Sequence, residues 1–190
     1  YTRDTDSGTR DGFFTKIGLK NNVKSNEGLV TDIVTTSGNG DMVLKIKNDE
    51  YSIGYISLSS LEESSLNGLK YDGVEPTEEN VLSKTYELTR NFNYITRVDF
   101  DSDEKKQIVE AYVAYLSTKE AKATIIANSG IVKINSTDKS WNDIKANYPI
   151  CGKDNSNITI KFGGSTSVEK IAKALSQEFA SKCGNFKPEH

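Results

Sequence analysis

Two hydroxyls flank a glycine at Ser7-Gly8-Thr9, and an arginine stands four positions ahead of Ser7, at Arg3. Tyr1 and Thr2 read as the end of a strand, while Phe13, Phe14, Ile17 and Leu19 follow at helical spacing. A strand-to-helix turn of this composition aims hydroxyls and unpaired backbone N–H groups at one point. Arg3 adds a planar fork of donors suited to a tetrahedral oxyanion. The chemistry indicated is oxyanion binding. The plainer use of the same residues is helix capping, by Asp6 or Ser7.

A second loop has the same design. Residues 158–162 read as a strand, Gly163-Gly164-Ser165-Thr166-Ser167 as a tight turn, and Val168, Ile171, Ala172, Leu175 and Phe179 as a helical stripe. If the loops face each other, an anion collects six or more donors. Charge-assisted bonds of about 1.5–3 kcal/mol each then reach micromolar affinity, roughly −8 kcal/mol, after the entropy of association. Other chemistries lack their residues. No Gly-Lys follows the glycines of 163–164, so this is not a P-loop, and the three-glycine dinucleotide pattern is missing. The single histidine, His190, is the last residue and a poor base for a serine hydrolase. Asp4, Asp6 and Glu27 read as capping, arginine-pairing or solvated carboxylates rather than a catalytic pair, and Tyr112 and Tyr115 as core. Cys151 and Cys183 lack metal-ligand spacing and form either one disulfide or two free thiols.

The elements that must position these loops alternate between strand and helix. The first helix is expected from Gly8 to about Leu19. Residues 30–36 are β-branched and read as a strand. Asn39 or Asp41 is placed to cap a short helix over 42–47. Residues 51–58 alternate around Gly54 and read as a strand whose glycine admits a close neighbour. A short strand is expected at 69–71, then a helix opened by Thr77. Residues 93–100 read as a further strand. Ser102 opens a helix with Ile108, Tyr112, Tyr115 and Leu116 on one face, and Thr118 opens the next, which stops near Gly130. Residues 135–157 are polar, with Trp141 and Tyr148 isolated, and read as a linker. The sum is an α/β chain with a largely parallel sheet.

The chain has 190 residues, 35% hydrophobic and 27% charged, enough for one large domain or two small lobes. Its formal charge of −3 argues against a nucleic-acid surface but not against a local site for one small anion. No apolar run approaches the roughly 20 residues that span a bilayer.

Four motifs together resemble the phosphate-binding proteins that serve ABC phosphate importers. They are Arg3-x-x-x-Ser7-Gly8-Thr9-Arg10 with Phe13-Phe14, and Ile53-Gly54-Tyr55-Ile56-Ser57-Leu58. The third runs from Gly73-Val74-x-Pro76-Thr77-x-Glu79-Asn80-Val81 to Tyr86-Glu87-Leu88-Thr89-Arg90, and the fourth is Gly164-Ser165-Thr166-Ser167-Val168. Their order is similar to that of circularly permuted members from Gram-positive bacteria. Thr5-Asp6 replaces the Asp-Gly often found before Ser-Gly-Thr, so the carboxylate holding the arginine is Asp4 or Asp6. The resemblance implies a two-lobed, type II periplasmic-binding-protein fold, with residues 1–91 in the lobe of the arginine loop. Residues 92–134 would supply the hinge strand and helices of the second lobe, 135–157 the linker, and 158–190 the strand, loop and helix opening that lobe. It implies a non-enzymatic extracytoplasmic carrier, lipid-anchored on the cell membrane or periplasmic. This carrier binds inorganic phosphate through Arg3, Ser7, Gly8, Thr9, Ser165, Thr166 and Ser167. It needs no cofactor, and its partners are permease subunits. The chain resembles about the first two thirds of such a protein, so both lobes are expected to be incomplete and the chain to bind weakly or self-associate. Alternatives are a carrier of sulfate, molybdate or tungstate, a phosphoryl-transfer enzyme, or an adhesion protein that keeps the fold without the ligand.

Overall fold

The computed structural model describes residues 1–190 and divides them into two compact units. The first comprises Tyr1–Phe92 with Ser165–Ser167, the second Asn93–Gly164 with Val168–His190.

The first unit is built on a parallel β-α-β crossover. Strand β1 (Thr2–Arg3) pairs with β2 (Thr35–Thr36), Thr2 opposite Thr35 and Arg3 opposite Thr36. Between them lies helix α1 (Gly8–Lys16), capped by Ser7, whose Oγ accepts from Arg10 N at 3.3 Å. α1 ends three residues earlier than its apolar spacing suggests, and a 3-10 turn follows at Lys20–Asn22. Helix α2 (Asn39–Lys47) begins after Gly38 with no side-chain cap. Neither expected cap acts as one: Asn39 is the first helical residue and is buried, and the Asp41 carboxylate accepts from Ser37 N. Ser57 caps α3 (Leu58–Ser64), and Thr77 caps α4 (Glu78–Leu82) with Oγ1 accepting from Asn80 N. Phe14 and Met42 are buried, and the ring of Phe13 stacks on Tyr55 at 4.3 Å.

Three expected strands of this unit are corrected. Residues 30–36 pair only at Thr35–Thr36. Residues 69–71 contribute only the isolated bridge of Tyr71 to Val74. Residues 51–58 form no ladder, although the backbone there approaches α2 so closely that a Cβ on Gly54 would overlap Met42 and crowd Ile46. The alternation of 51–58 is that of a strand, but Tyr51 and Ile53 face solvent and no neighbouring backbone completes the pairing.

The second unit packs helices on a short parallel ladder, β3 (Thr159–Lys161) beside β4 (Lys187–Glu189). Helix α5 (Asp103–Tyr115) is capped by Ser102 and α6 (Lys119–Ala127) by Thr118, both as their sequences predict. Ser129, in the left-handed region at φ 58°, turns the chain out of α6. Ile108, Ala111, Tyr115, Leu175 and Phe179 form the centre of the core.

The expected linker belongs to this core. Ser140 and Asp143 form a reciprocal capping box that opens α7 (Trp141–Ile144), and two 3-10 turns follow. The Trp141 ring meets Phe179 edge-on at 5.1 Å and stacks on Tyr148 at 5.9 Å. Cys151 is disulfide-bonded to Cys183, which settles the alternative left open by the sequence. Helix α8 (Glu169–Lys182) supplies Leu175, Phe179 and Ala180 to the core and leads to β4. Residues 93–100 form no strand, and Ile95 and Val98 are almost fully exposed, because nothing pairs with their backbone.

Candidate functional site

The loop between β1 and α1 places a buried arginine under the helix N-terminus. Arg3 is 3% exposed, carried inward by its position in β1. Its backbone N donates to Tyr55 Oη at 2.9 Å, which also bonds Thr2 Oγ1 at 2.7 Å. Nη1 donates to Asn39 Oδ1 at 3.3 Å and to Thr166 Oγ1 at 3.4 Å, and Nη2 to the Ser37 carbonyl at 3.1 Å. Its carboxylate neighbour is Asp4, 3.8 Å away, whereas Asp6 points out to Lys24. Nε is buried with no hydrogen-bond partner. An unused charged donor is costly inside a protein.

Ser7, Gly8 and Thr9 form the first turn of α1. The N–H groups of Gly8 and Thr9 have no partner within the helix, as for any first turn, and the dipole places partial positive charge there. Ser7 Oγ accepts from Arg10 N, which leaves its O–H to donate. Thr9 Oγ1 bonds Ser167 Oγ, and Ser167 N donates to Ser165 Oγ at 3.3 Å. All seven residues singled out in the sequence therefore meet in the first unit: Arg3, Ser7, Gly8 and Thr9 from one loop, Ser165, Thr166 and Ser167 from the other.

Two arginines that sequence reasoning gave no role complete the neighbourhood. Arg10 is fully buried and spends every donor inside the unit: Nε on Val23 O, Nη1 on Thr2 Oγ1 and Arg3 O, Nη2 on Asn22 O and Ser25 O. Its guanidinium also lies over the Phe14 ring at 4.5 Å. It ties β1, α1 and the 3-10 turn together. Arg90 donates from Nη1 to the Gly8 carbonyl and from Nη2 to Ser165 Oγ at 3.4 Å. Partial burial lowers its proton affinity, and the nearby charge of Asp11 opposes that shift. A signal for Arg90 was present: Gly12 sits inside a helix, where glycine weakens the structure unless something must come close.

With Arg3 and Arg90 beside a helix N-terminus and Asp4 the acid nearest Arg3, the site favours an anion. No group of three or more His, Cys, Asp or Glu side chains forms a metal-ligand set.

No family model matches the chain. Over 133 residues it is 30% identical to phosphate-binding protein PstS 2 of Streptococcus agalactiae, a match covering 68% of this chain and 44% of that protein. Phosphate-binding protein PstS 2 of Streptococcus pneumoniae is 24% identical over 180 residues, 93% of this chain and 57% of that one. The chain thus spans about half the length of the curated relatives it matches. A crystal structure of a phosphate-binding protein of a phosphate ABC transporter from Streptococcus pneumoniae superposes with a TM-score of 0.68 at 23% identity, covering 99% of this chain and 67% of that one. The resemblance carried by the four motifs is borne out by these relatives, and the fold is the α/β fold of type II periplasmic binding proteins.

Proposed function

We propose that this protein binds inorganic phosphate outside the cytoplasm, delivers it to the permease subunits of an ABC importer, and catalyses no reaction. The observation carrying this reading is the buried Arg3, with its unpartnered Nε and its bond to Thr166 Oγ1, in one unit with the hydroxyls of Ser7, Thr9, Ser165 and Ser167. In this scheme Arg3 supplies the charged fork, Gly8 and Thr9 their first-turn amides, and Ser7, Thr9, Ser165, Thr166 and Ser167 their hydroxyls. Fixed neutral donors hold a dehydrated anion without a matching full countercharge. The names of the relatives support phosphate as the ligand. The Cys151–Cys183 disulfide supports an oxidising compartment, either the periplasm or the outer face of a membrane to which the protein is lipid-anchored. No helix is long and apolar enough to cross a membrane. Self-association belongs to the same reading, supported by the exposure of Tyr51, Ile95 and Val98.

Calorimetric titration with phosphate and with sulfate tests the proposal. Phosphate should bind, weakly for this chain alone, and Arg3→Met should weaken it at least tenfold, or about 1.4 kcal/mol. Equal affinity in the variant would remove Arg3 from the site. Heat with sulfate, molybdate or tungstate in place of phosphate would transfer the site to another oxyanion.

A further inference from the structure

Arg90 is seated as carefully as the residues of the anion loops, yet the binding scheme above gives it no part. Its guanidinium lies over the Phe92 ring at 4.7 Å. On its other side α1 presents bare backbone, with Gly8 and Gly12 four residues apart on one face. A Cβ on Gly12 would overlap Arg90 Cδ, and one on Gly8 would stand 3.3 Å from Nη1. The glycines of α1 are thus accounted for by the arginine that lies against them. A cation at the start of a helix opposes the helix dipole, and an anion bound at the same end reverses that penalty.

Two contacts give this seat its meaning. Nη1 donates to the Gly8 carbonyl, which shares one planar peptide with the N–H of Thr9. Fixing the carbonyl therefore fixes the direction of an amide in the anion loop. Nη2 donates to Ser165 Oγ, which also accepts from Ser167 N at 3.3 Å. A serine oxygen has two lone pairs, so with both engaged its hydroxyl hydrogen is left to donate away from them.

We infer that Arg90 is the positioning residue of the anion site: it orients the Thr9 amide and commits Ser165 to act as a hydrogen-bond donor toward the bound oxyanion. The inference rests on the phosphate-binding reading. It goes beyond that reading by naming what sets the polarity of Ser165, whose oxygen, among the hydroxyls of the anion site, accepts from two separate N–H donors.

The test uses the 190-residue chain and four variants: Arg90→Met, Arg90→Lys, Ser165→Ala and the double variant of Arg90→Met with Ser165→Ala. Phosphate affinity is measured by calorimetry, hydrogen exchange at the first-turn amides of α1 by mass spectrometry, and folding by far-ultraviolet circular dichroism. Arg90→Met should weaken phosphate binding about tenfold, and Ser165→Ala should weaken it further in the native background but hardly at all beside Arg90→Met. Arg90→Lys should recover little, because an ammonium group cannot span the Gly8 carbonyl and Ser165 Oγ together. Affinity within twofold of native in Arg90→Met, full rescue by lysine, or additive costs in the double variant would each overturn the inference. If Arg90→Met fails to fold, Arg90→Lys and Ser165→Ala decide by the same criteria. If the native chain takes up no phosphate, the binding reading fails, and exchange decides for Arg90 alone. Faster exchange in the variant at Arg10 and Asp11, whose N–H groups donate to Ser7, upholds its positioning role, and unchanged exchange refutes it.

Discussion

Arg10→Met removes a cation whose five donors all end on acceptors of the first unit, and its effect can be sized from them. The Arg3 carbonyl is buried, so losing its donor leaves it unsatisfied at about 1–3 kcal/mol, whereas Thr2 Oγ1 keeps its bond to Tyr55 Oη and loses less. The carbonyls of Asn22, Val23 and Ser25 are only partly buried and regain water, so they add less. Methionine keeps contact with Phe14 and avoids the desolvation of the guanidinium, which offsets part of the loss. The expected destabilisation is about 2–4 kcal/mol, a large share of the 5–15 kcal/mol that holds a typical domain together. The sole tryptophan, Trp141, lies in the second unit, so its fluorescence follows that unit alone. Hydrogen exchange across residues 1–25 follows the first. Arg10→Met should cut protection in 1–25 by about 1.5 to 3 orders of magnitude, at 1.4 kcal/mol per tenfold, while the urea midpoint of Trp141 fluorescence stays put. Arg10→Lys should fall between, since one ammonium reaches only some of the five acceptors. Protection within tenfold of native in Arg10→Met would refute the argument that this arginine holds the crossover together.

Two further outcomes concern the second unit. Replacing both Cys151 and Cys183 by alanine frees a link across a sequence separation of 32, so the unit should lose about 3–4 kcal/mol, read as a lower urea midpoint of Trp141 fluorescence; an unchanged midpoint would contradict this. Burial pushes the Tyr112 phenol up to about 12, above its value near 10 in an unfolded chain. The folded state therefore holds its proton longer, so stability is fully present below pH 10 and declines as pH rises from 10 toward about 12. Tyr112→Phe should flatten that decline in part, since burial raises Tyr115 as well, and an identical profile in the variant would count against the assignment.

The helices were legible in the sequence because capping is local. Ser102, Thr118 and Thr77 each meet an amide three residues ahead, so both partners lie in the same short window. The strands were less so. Residues 51–58 and 93–100 alternate as strands do, but alternation reports the side-chain period and says nothing of whether a second backbone lies alongside. Trp141 misled for a related reason: its polar neighbours in sequence suggested a linker, while its contacts, Tyr115 and Phe179, lie 26 and 38 positions away. The anion loops were readable because residue types and spacing carry their chemistry. For Arg90 a glycine inside α1 signals only that something comes close, because the meaning of the arginine comes from Gly8 and Ser165, 82 and 75 positions distant.

The contact between Gly12 and Arg90 makes two positions into one evolutionary choice. While the arginine lies across α1, any side chain at position 12 collides with it. Once the arginine is exchanged for something short, that prohibition lapses, and alanine at 12 gains about 0.5–1 kcal/mol of helix stability. Chains descended from a common ancestor should therefore change these positions together: a lineage keeps the pair of glycine and arginine, or abandons both.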